Sequence, residues 1–292
     1  MKVLLVSWAT FTHGEATAGD VLAVRRVENE LTEQAIDFDT AWSPVFRPGE
    51  LCLDDVAPED YTHLVFICGP CHGEQVESLH HRFPDAVRIA VGVSVIDADD
   101  PAVTGFDRVI ARDGDGRERH DLATFAPLGR VPVVAVILAP GQGEYGDRRR
   151  HERTHAQILE ALAERDVAVL PVDTRLDTRD ATAPSTPEQL CSVLSRADAV
   201  VSTRLHGLVL GLRMGVPVLA IDPVDGGAKV SAQARIAHWP AALTAGEFES
   251  DRARFDELLT WCLGPRGRWA ARATTGYENA DPTTELVKEL SI

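Results

Sequence analysis

Residues 199–221, AVVSTRLHGLVLGLRMGVPVLAI, hold two apolar, strand-like runs, Ala199-Val200-Val201-Ser202 and Val218-Leu219-Ala220-Ile221. Between them lie Thr203-Arg204-Leu205-His206-Gly207, residues 208–215 and then Val216-Pro217. The order is strand, tight loop, short helix over 208–215, strand: one βαβ unit with a right-handed crossover. Ligands of open α/β sheets bind outside the carboxyl ends of the strands. Arg204 and His206 fall there, and the following helix aims its N–H groups and positive dipole end at the same place. A guanidinium fork, an imidazole and a helix start suit a small dianion carrying carboxylate or phosphate.

The rest of the chain is consistent with such a sheet. At 292 residues it is long enough for two cores, and 45% hydrophobic residues can fill them. Lys and Arg number 29 against 45 Asp and Glu, a net charge of −16. That excess repels nucleic acid and anionic membranes, so an anionic ligand requires a local basic site. No apolar run reaches membrane-spanning length. Residues 1–6 run directly into domain sequence without a signal h-region, and five scattered cysteines read as reduced thiols. The expectation is a cytoplasmic protein with no membrane span.

Strands are expected over 3–7, 63–68, 87–93 and 108–111, with helices over 19–31 and 74–81. A softer stretch over 123–130 precedes a new strand over 131–138, and the domain boundary is placed there. The second half restarts with a helix over 149–165 and a strand over 167–172. Thr186-Pro187-Glu188-Gln189 reads as an N-cap, a first-turn proline and a capping-box glutamine. Further helices are expected over 251–263 and 283–290. Alternating β and α in both halves gives an α/β chain of two Rossmann-like parallel-sheet domains, 1–126 and 127–292, facing a cleft in the glycosyltransferase B arrangement. The last helix is expected to pack back across the first domain.

The run 199–229, with Arg204-Leu205-His206, Gly215-Val216-Pro217 and Lys229, resembles the polysaccharide pyruvyl transferase family. Gly19-Asp20, Gly92-Val93-Ser94 and Arg112-Asp113 resemble further patches of it. The resemblance implies the same two-domain fold and transfer of pyruvate from phosphoenolpyruvate to sugar hydroxyls as a ketal, with release of phosphate. It implies donor binding by Arg204, Leu205, Gly207 and Lys229, with His206 protonating the enol carbon. Asp20 is the implied base, and Gly19, Cys68, Gly69 and Ser94 form the implied acceptor side. Phosphoenolpyruvate is a co-substrate; no cofactor and no metal are implied. The acceptor is a sugar or a small natural product, with no nucleic acid partner. Ala139-Pro140-Gly141 stands where the family carries a donor-binding arginine, and Arg148, Arg149 or Arg150 is the candidate substitute. Two other readings stay open: a nucleotide-sugar glycosyltransferase of the same fold, and a non-catalytic anion-binding homologue. Neither the acceptor nor the state of oligomerisation is legible.

Four short motifs compete with this reading. Cys68-Gly69-Pro70-Cys71 has the spacing of a redox dithiol but follows Ile67, not tryptophan. It reads as a tight loop with small buried thiols. Adding His72 completes a haem-attachment pattern that needs export. His151-Glu152-Arg153-Thr154-His155 matches H-E-x-x-H. Arg148-Arg149-Arg150 just before it opposes a dication, so it reads as a solvated helix start. Gly141-Gln142-Gly143-Glu144-Tyr145-Gly146 matches G-x-G-x-x-G, but Glu144 would face a pyrophosphate. It reads as a flexible loop.

Overall fold

The computed structural model describes residues 1–12, 16–138, 140–274 and 281–290, the side chain of Thr284 excepted. Two compact units divide at Gly129 and Arg130.

In the first unit the chain runs β1 (Lys2–Ser7), α1 (Ala18–Glu33), β2 (Asp37–Thr40), β3 (His63–Ile67), α2 (Glu74–Arg82), β4 (Val87–Ser94), α3 (Pro101–Thr104) and β5 (Arg108–Asp113). Its five strands are parallel in the order β2-β1-β3-β4-β5. The continuous apolar run of β1 is explained by burial on both faces. Leu4 and Val6 enter one core cluster, while Val3 and Leu5 enter the cluster on the other face.

The second unit holds β6 (Val133–Ile137), α4 (His151–Ala163), β7 (Ala168–Pro171), α5 (Pro187–Leu194), β8 (Ala199–Ser202), α6 (Leu205–Arg213), β9 (Val218–Asp222), α7 (Lys229–Ile236) and β10 (Ala242–Thr244). Then follow α8 (Ala245–Ser250), α9 (Arg252–Leu263), α10 (Pro265–Ala273) and α11 (Thr283–Leu290). Its sheet is also parallel, in the order β10-β9-β8-β6-β7. Numbered from the first strand of each unit, both orders are 2-1-3-4-5, the flavodoxin-like doubly wound order. Strand order reverses between β1 and β3 in one unit and between β6 and β8 in the other. Those are the topological switch points, where such sheets hold ligands.

Several boundaries differ from expectation. The helix after β8 opens at Leu205, not 208, because Arg204 is already its N-cap and the Arg204 carbonyl accepts from Gly207 N–H at 3.0 Å. The helix expected over 149–165 starts at His151, after a 3₁₀ turn over Gly143–Arg148. Thr186 caps α5 by accepting from Gln189 N–H at 3.2 Å, but Gln189 Oε1 takes Ser185 N–H (2.7 Å) in place of the capping-box bond. β7 is an edge strand exposed along its whole length. Its inward N–H groups include that of Ala168, donated to Pro132 O at 2.8 Å, and Val172 N–H continues the ladder to Val136 O at 3.0 Å. No helix among the described residues is long and apolar enough to cross a membrane.

Candidate functional site

At the second unit's switch point, Ser202 ends β8 and its side chain builds the turn. Ser202 Oγ accepts from Arg204 N–H (3.0 Å) and donates to the Arg204 carbonyl (2.9 Å). Gly207 makes this possible: a Cβ there would stand 2.1 Å from Ser202 Oγ and 3.2 Å from Ile137 Cδ1. Gly207 is buried, so it shapes the turn and offers no surface for a ligand. Leu205 is half-buried and packs on the core. His206, in the first turn of α6, is exposed.

Arg204 is not a bare cation. Its Nη1 donates to Asp173 Oδ1 and Thr174 Oγ1, each at 2.9 Å, and the side chain is 16% exposed. Both bonds use one nitrogen. Nε and Nη2, the two-donor edge of the fork, have no partner among the described residues. Burial works against ionisation of Asp173, but the Arg175 N–H and guanidinium bonds and the Arg204 charge outweigh it. Its carboxyl is held below the ordinary range. The α6 N-terminus carries no side-chain cap, so Leu205 and His206 N–H have no intrahelical acceptor.

A second group forms where the 3₁₀ turn meets the loop after β9. Asp222, fully buried, accepts from Val224, Ala228 and Ser231 N–H at 3.2, 2.7 and 2.9 Å and so fixes that loop. Arg150 N–H donates to Pro223 O (2.9 Å) and Asp225 N–H to Arg148 O (2.8 Å). Arg148 and Lys229 flank the Tyr145 ring, each 5.8 Å from its centre, and Lys229 Nζ lies 4.0 Å from Glu144. Among the described residues no hydrogen bond or ion pair joins this group to Arg204. Ala139 lies outside the described residues.

H-E-x-x-H is not a solvated helix start. Glu152 and Arg153 are exposed, but His151 and Thr154 are fully buried, because positions i, i+3 and i+4 face the sheet. His155 Nε2 is hydrogen-bonded to Thr203 Oγ1 at 3.0 Å, one residue before Arg204. Neither ring nitrogen of His151 has a hydrogen-bond partner among the described residues. Burial and then Arg149 hold His151 below its usual pKa; burial and then His151 do the same to His155. Glu152 pairs with Arg149 at 2.6 Å. No three His, Cys, Asp or Glu side chains are grouped to share a metal ion among the described residues.

At the first unit's switch point, Trp8 follows β1 and lies over Gly69, whose Cβ would stand 2.2 Å from the indole Cδ1. Trp8 Nε1 donates to Pro70 O at 3.1 Å. Cys68 sits in the left-handed region at φ 64°. Both loop thiols are buried. Burial raises Cys68 to about 11, against a smaller lowering by Gly69 N–H, and raises Cys71 to about 12. Asp20 itself occupies the third position of α1, where its Oδ2 accepts from Thr17 N–H (3.2 Å) and Thr17 Oγ1 (2.7 Å) in a capping box. Gly19 stands in that same first turn. Ser94 Oγ donates to Asp113 Oδ2 (3.1 Å) and accepts from Arg112 Nη2 (2.5 Å), while Arg112 Nη1 also reaches Asp121 at 2.6 Å.

The residues missed by sequence reasoning are Thr174 after β7, Ser202, Thr203 and Asp222 at the β8 and β9 ends, and Trp8 in the first unit. Asp222, an acid closing an apolar strand before a proline, was the readable one.

The second unit is thus a doubly wound α/β domain with a cation, an imidazole and an uncapped helix start at its switch point. Residues 130–225 match the family model described as polysaccharide pyruvyl transferase. No curated protein sequence matches the chain. Among solved structures, similarity extends to the spinosyn rhamnosyltransferase SpnG, at 13% identity and TM-score 0.39 over the whole of both chains. It extends to the calicheamicin glycosyltransferase CalG4 (14% identity, TM-score 0.34, 94% of this chain and 93% of that one). UDP-GlcNAc 2-epimerase of Methanocaldococcus jannaschii is similar at 10% identity and TM-score 0.36, over 100% and 99% of the two chains. The fold class rests on the strand orders, not on these scores.

Proposed function

We propose that the protein is a transferase moving a pyruvyl group from phosphoenolpyruvate to two hydroxyls of a sugar or small natural-product acceptor, as a ketal, with release of phosphate. The observation carrying this reading is the turn after β8, inside the matched segment. There the Nε/Nη2 edge of Arg204, without a partner among the described residues, the open α6 N-terminus and the exposed His206 ring come from three consecutive residues. The Arg204 fork suits the donor carboxylate bidentately. Lys229 and Arg148, gathered at Tyr145, are offered to the phosphate.

In the proposed reaction, imidazolium His206 gives its proton to the methylene carbon of the donor, which becomes a methyl group. The adjacent carbon turns electrophilic, and an acceptor hydroxyl bonds to it as its proton leaves to a base. Asp20 is proposed for that base. The carbon–oxygen bond to phosphate then breaks, phosphate takes the electron pair, and the second hydroxyl closes the ketal while its proton passes to phosphate. Neighbours of the acceptor are proposed to be Gly19, Cys68, Gly69 and Ser94.

Thermal stability with and without phosphoenolpyruvate tests the donor. Ligand at 100 times its Kd adds about 2.7 kcal/mol, or roughly 2–4 °C for a chain of this size. The shift is expected in the wild type and lost in Arg204→Ala and Arg204→Lys, since a point charge cannot replace a planar fork. A shift with a nucleotide sugar but none with phosphoenolpyruvate sinks the proposal.

A further inference from the structure

Helix α10 reverses the sign of the molecule locally. In a chain of net charge −16, its nine residues, PRGRWAARA, carry three arginines and no acid. Gly267 and Ala271 are its buried positions, four apart, so the helix is seated firmly on one face. Arg266, Arg268, Trp269 and Arg272 are exposed: Trp269 lies directly opposite the buried pair, with Arg266 and Arg272 to either side of it, while Arg268 donates from Nη1 to Leu263 O. Trp269 is 75% exposed, and the other four tryptophans are buried or half-buried. An indole left in water forgoes a large hydrophobic gain.

The patch continues beyond the helix. Gly215, just after α6, lies against the Arg272 stem, which brings exposed Arg213 and Met214 alongside. Arg268 and Arg130 line one small depression with Asp198, whose carboxylate is 3.6 Å from Arg130. α6 begins at the Arg204 turn and ends beside the start of β9, so this face lies at the opposite end of the strands from the candidate site. An occupant here leaves that site open.

We propose that the α10 face docks the protein on an anionic lipid surface. Arginines around an exposed tryptophan are the chemistry of the headgroup layer: the indole sits at the boundary while guanidinium groups meet phosphates. Contact confined to one short helix suits this acidic chain, because charges beyond a Debye length of about 8–10 Å are largely screened. The inference does not depend on the reaction proposed above.

The test uses the full chain with vesicles of phosphatidylcholine alone, or mixed with phosphatidylglycerol in equal parts. Wild type is expected to co-sediment with the anionic vesicles only, and to release at about 1 M salt, where the Debye length is about 3 Å. A blue shift of tryptophan emission should accompany binding and vanish in Trp269→Phe. Arg266→Glu/Trp269→Ser, both surface positions, should weaken partitioning at least about tenfold, since each charge near the surface is worth about 1 kcal/mol. Wild type left in solution with anionic vesicles at low salt overturns the proposal. So does binding that survives the double variant, equal binding to neutral vesicles, or Trp269 quenched by an oligonucleotide or by self-association with vesicles unbound.

Discussion

His151 is the residue whose chemistry is least settled by its protein surroundings. A buried polar group without a partner costs about 1–3 kcal/mol, and this ring has two such atoms. His151 also opens helix α4 beside Arg149, where added positive charge is unfavourable, while His155, one turn on, is held down by burial and by His151. Both pKa values lie below the ordinary 6.5. The unfolded chain therefore takes up these protons first, so stability is full above that value and falls as the pH drops through the lowered folded values. Urea unfolding of His151→Leu should match or exceed the wild type at neutral pH, where two unsatisfied ring nitrogens are exchanged for packing. Its loss between neutral pH and about pH 5 should be smaller. An identical acid loss in both proteins means that His151 is not the titrating group. At His206 we expect the reverse separation: His206→Asn keeps the phosphoenolpyruvate shift but loses about 10²–10⁴ in turnover. Undiminished phosphate release would reduce His206 to a helix-start residue.

At the level of elements, the β8–turn–α6 unit is as local as a site can be, and it was legible for that reason. Strand, turn and helix are contiguous, and periodicity marks each. What completes it was not legible. Asp173 and Thr174 follow β7, some thirty residues upstream, and reach Arg204 only because the sheet orders its strands β8-β6-β7. β2 escaped the pattern because Asp-Phe-Asp-Thr is short and apolar only at Phe38, and β10 because it has three residues. The buried side of α4 was misread because its arginine-rich approach suggested solvent. Gly207→Ala tests the close approach in the turn. A Cβ forced against Ser202 should cost about 1–3 kcal/mol, as overpacking does, seen as a lower Tm. Ser202→Gly should restore part of it; no loss in the single variant would mean that α6 shifts freely on its strand.

For the whole molecule, the two units repeat one strand order with no repeat visible in the sequence. Alternation of β and α predicted two such domains, and each has its own core: one cluster in the second unit, and one on either face of the sheet in the first. We expect calorimetry of the full chain to resolve two transitions, one of them reproduced by residues 130–292 expressed alone. A single transition, with that fragment unfolded, would show that the cores are not independent.

The exposed strand β7 bears on how the molecule behaves when crowded. Ala168 and Val172 turn their N–H groups inward, so the alternation of a strand turns Val169 and Pro171 outward. Proline has no N–H to give, and the open rim of the sheet is left with a single donor from Val169 along Ala168–Pro171. An approaching chain finds one N–H to pair with, too few to extend a ladder far. Pro171 therefore acts as a stop against runaway strand addition, guarding the molecule from amyloid-like growth along an apolar rim.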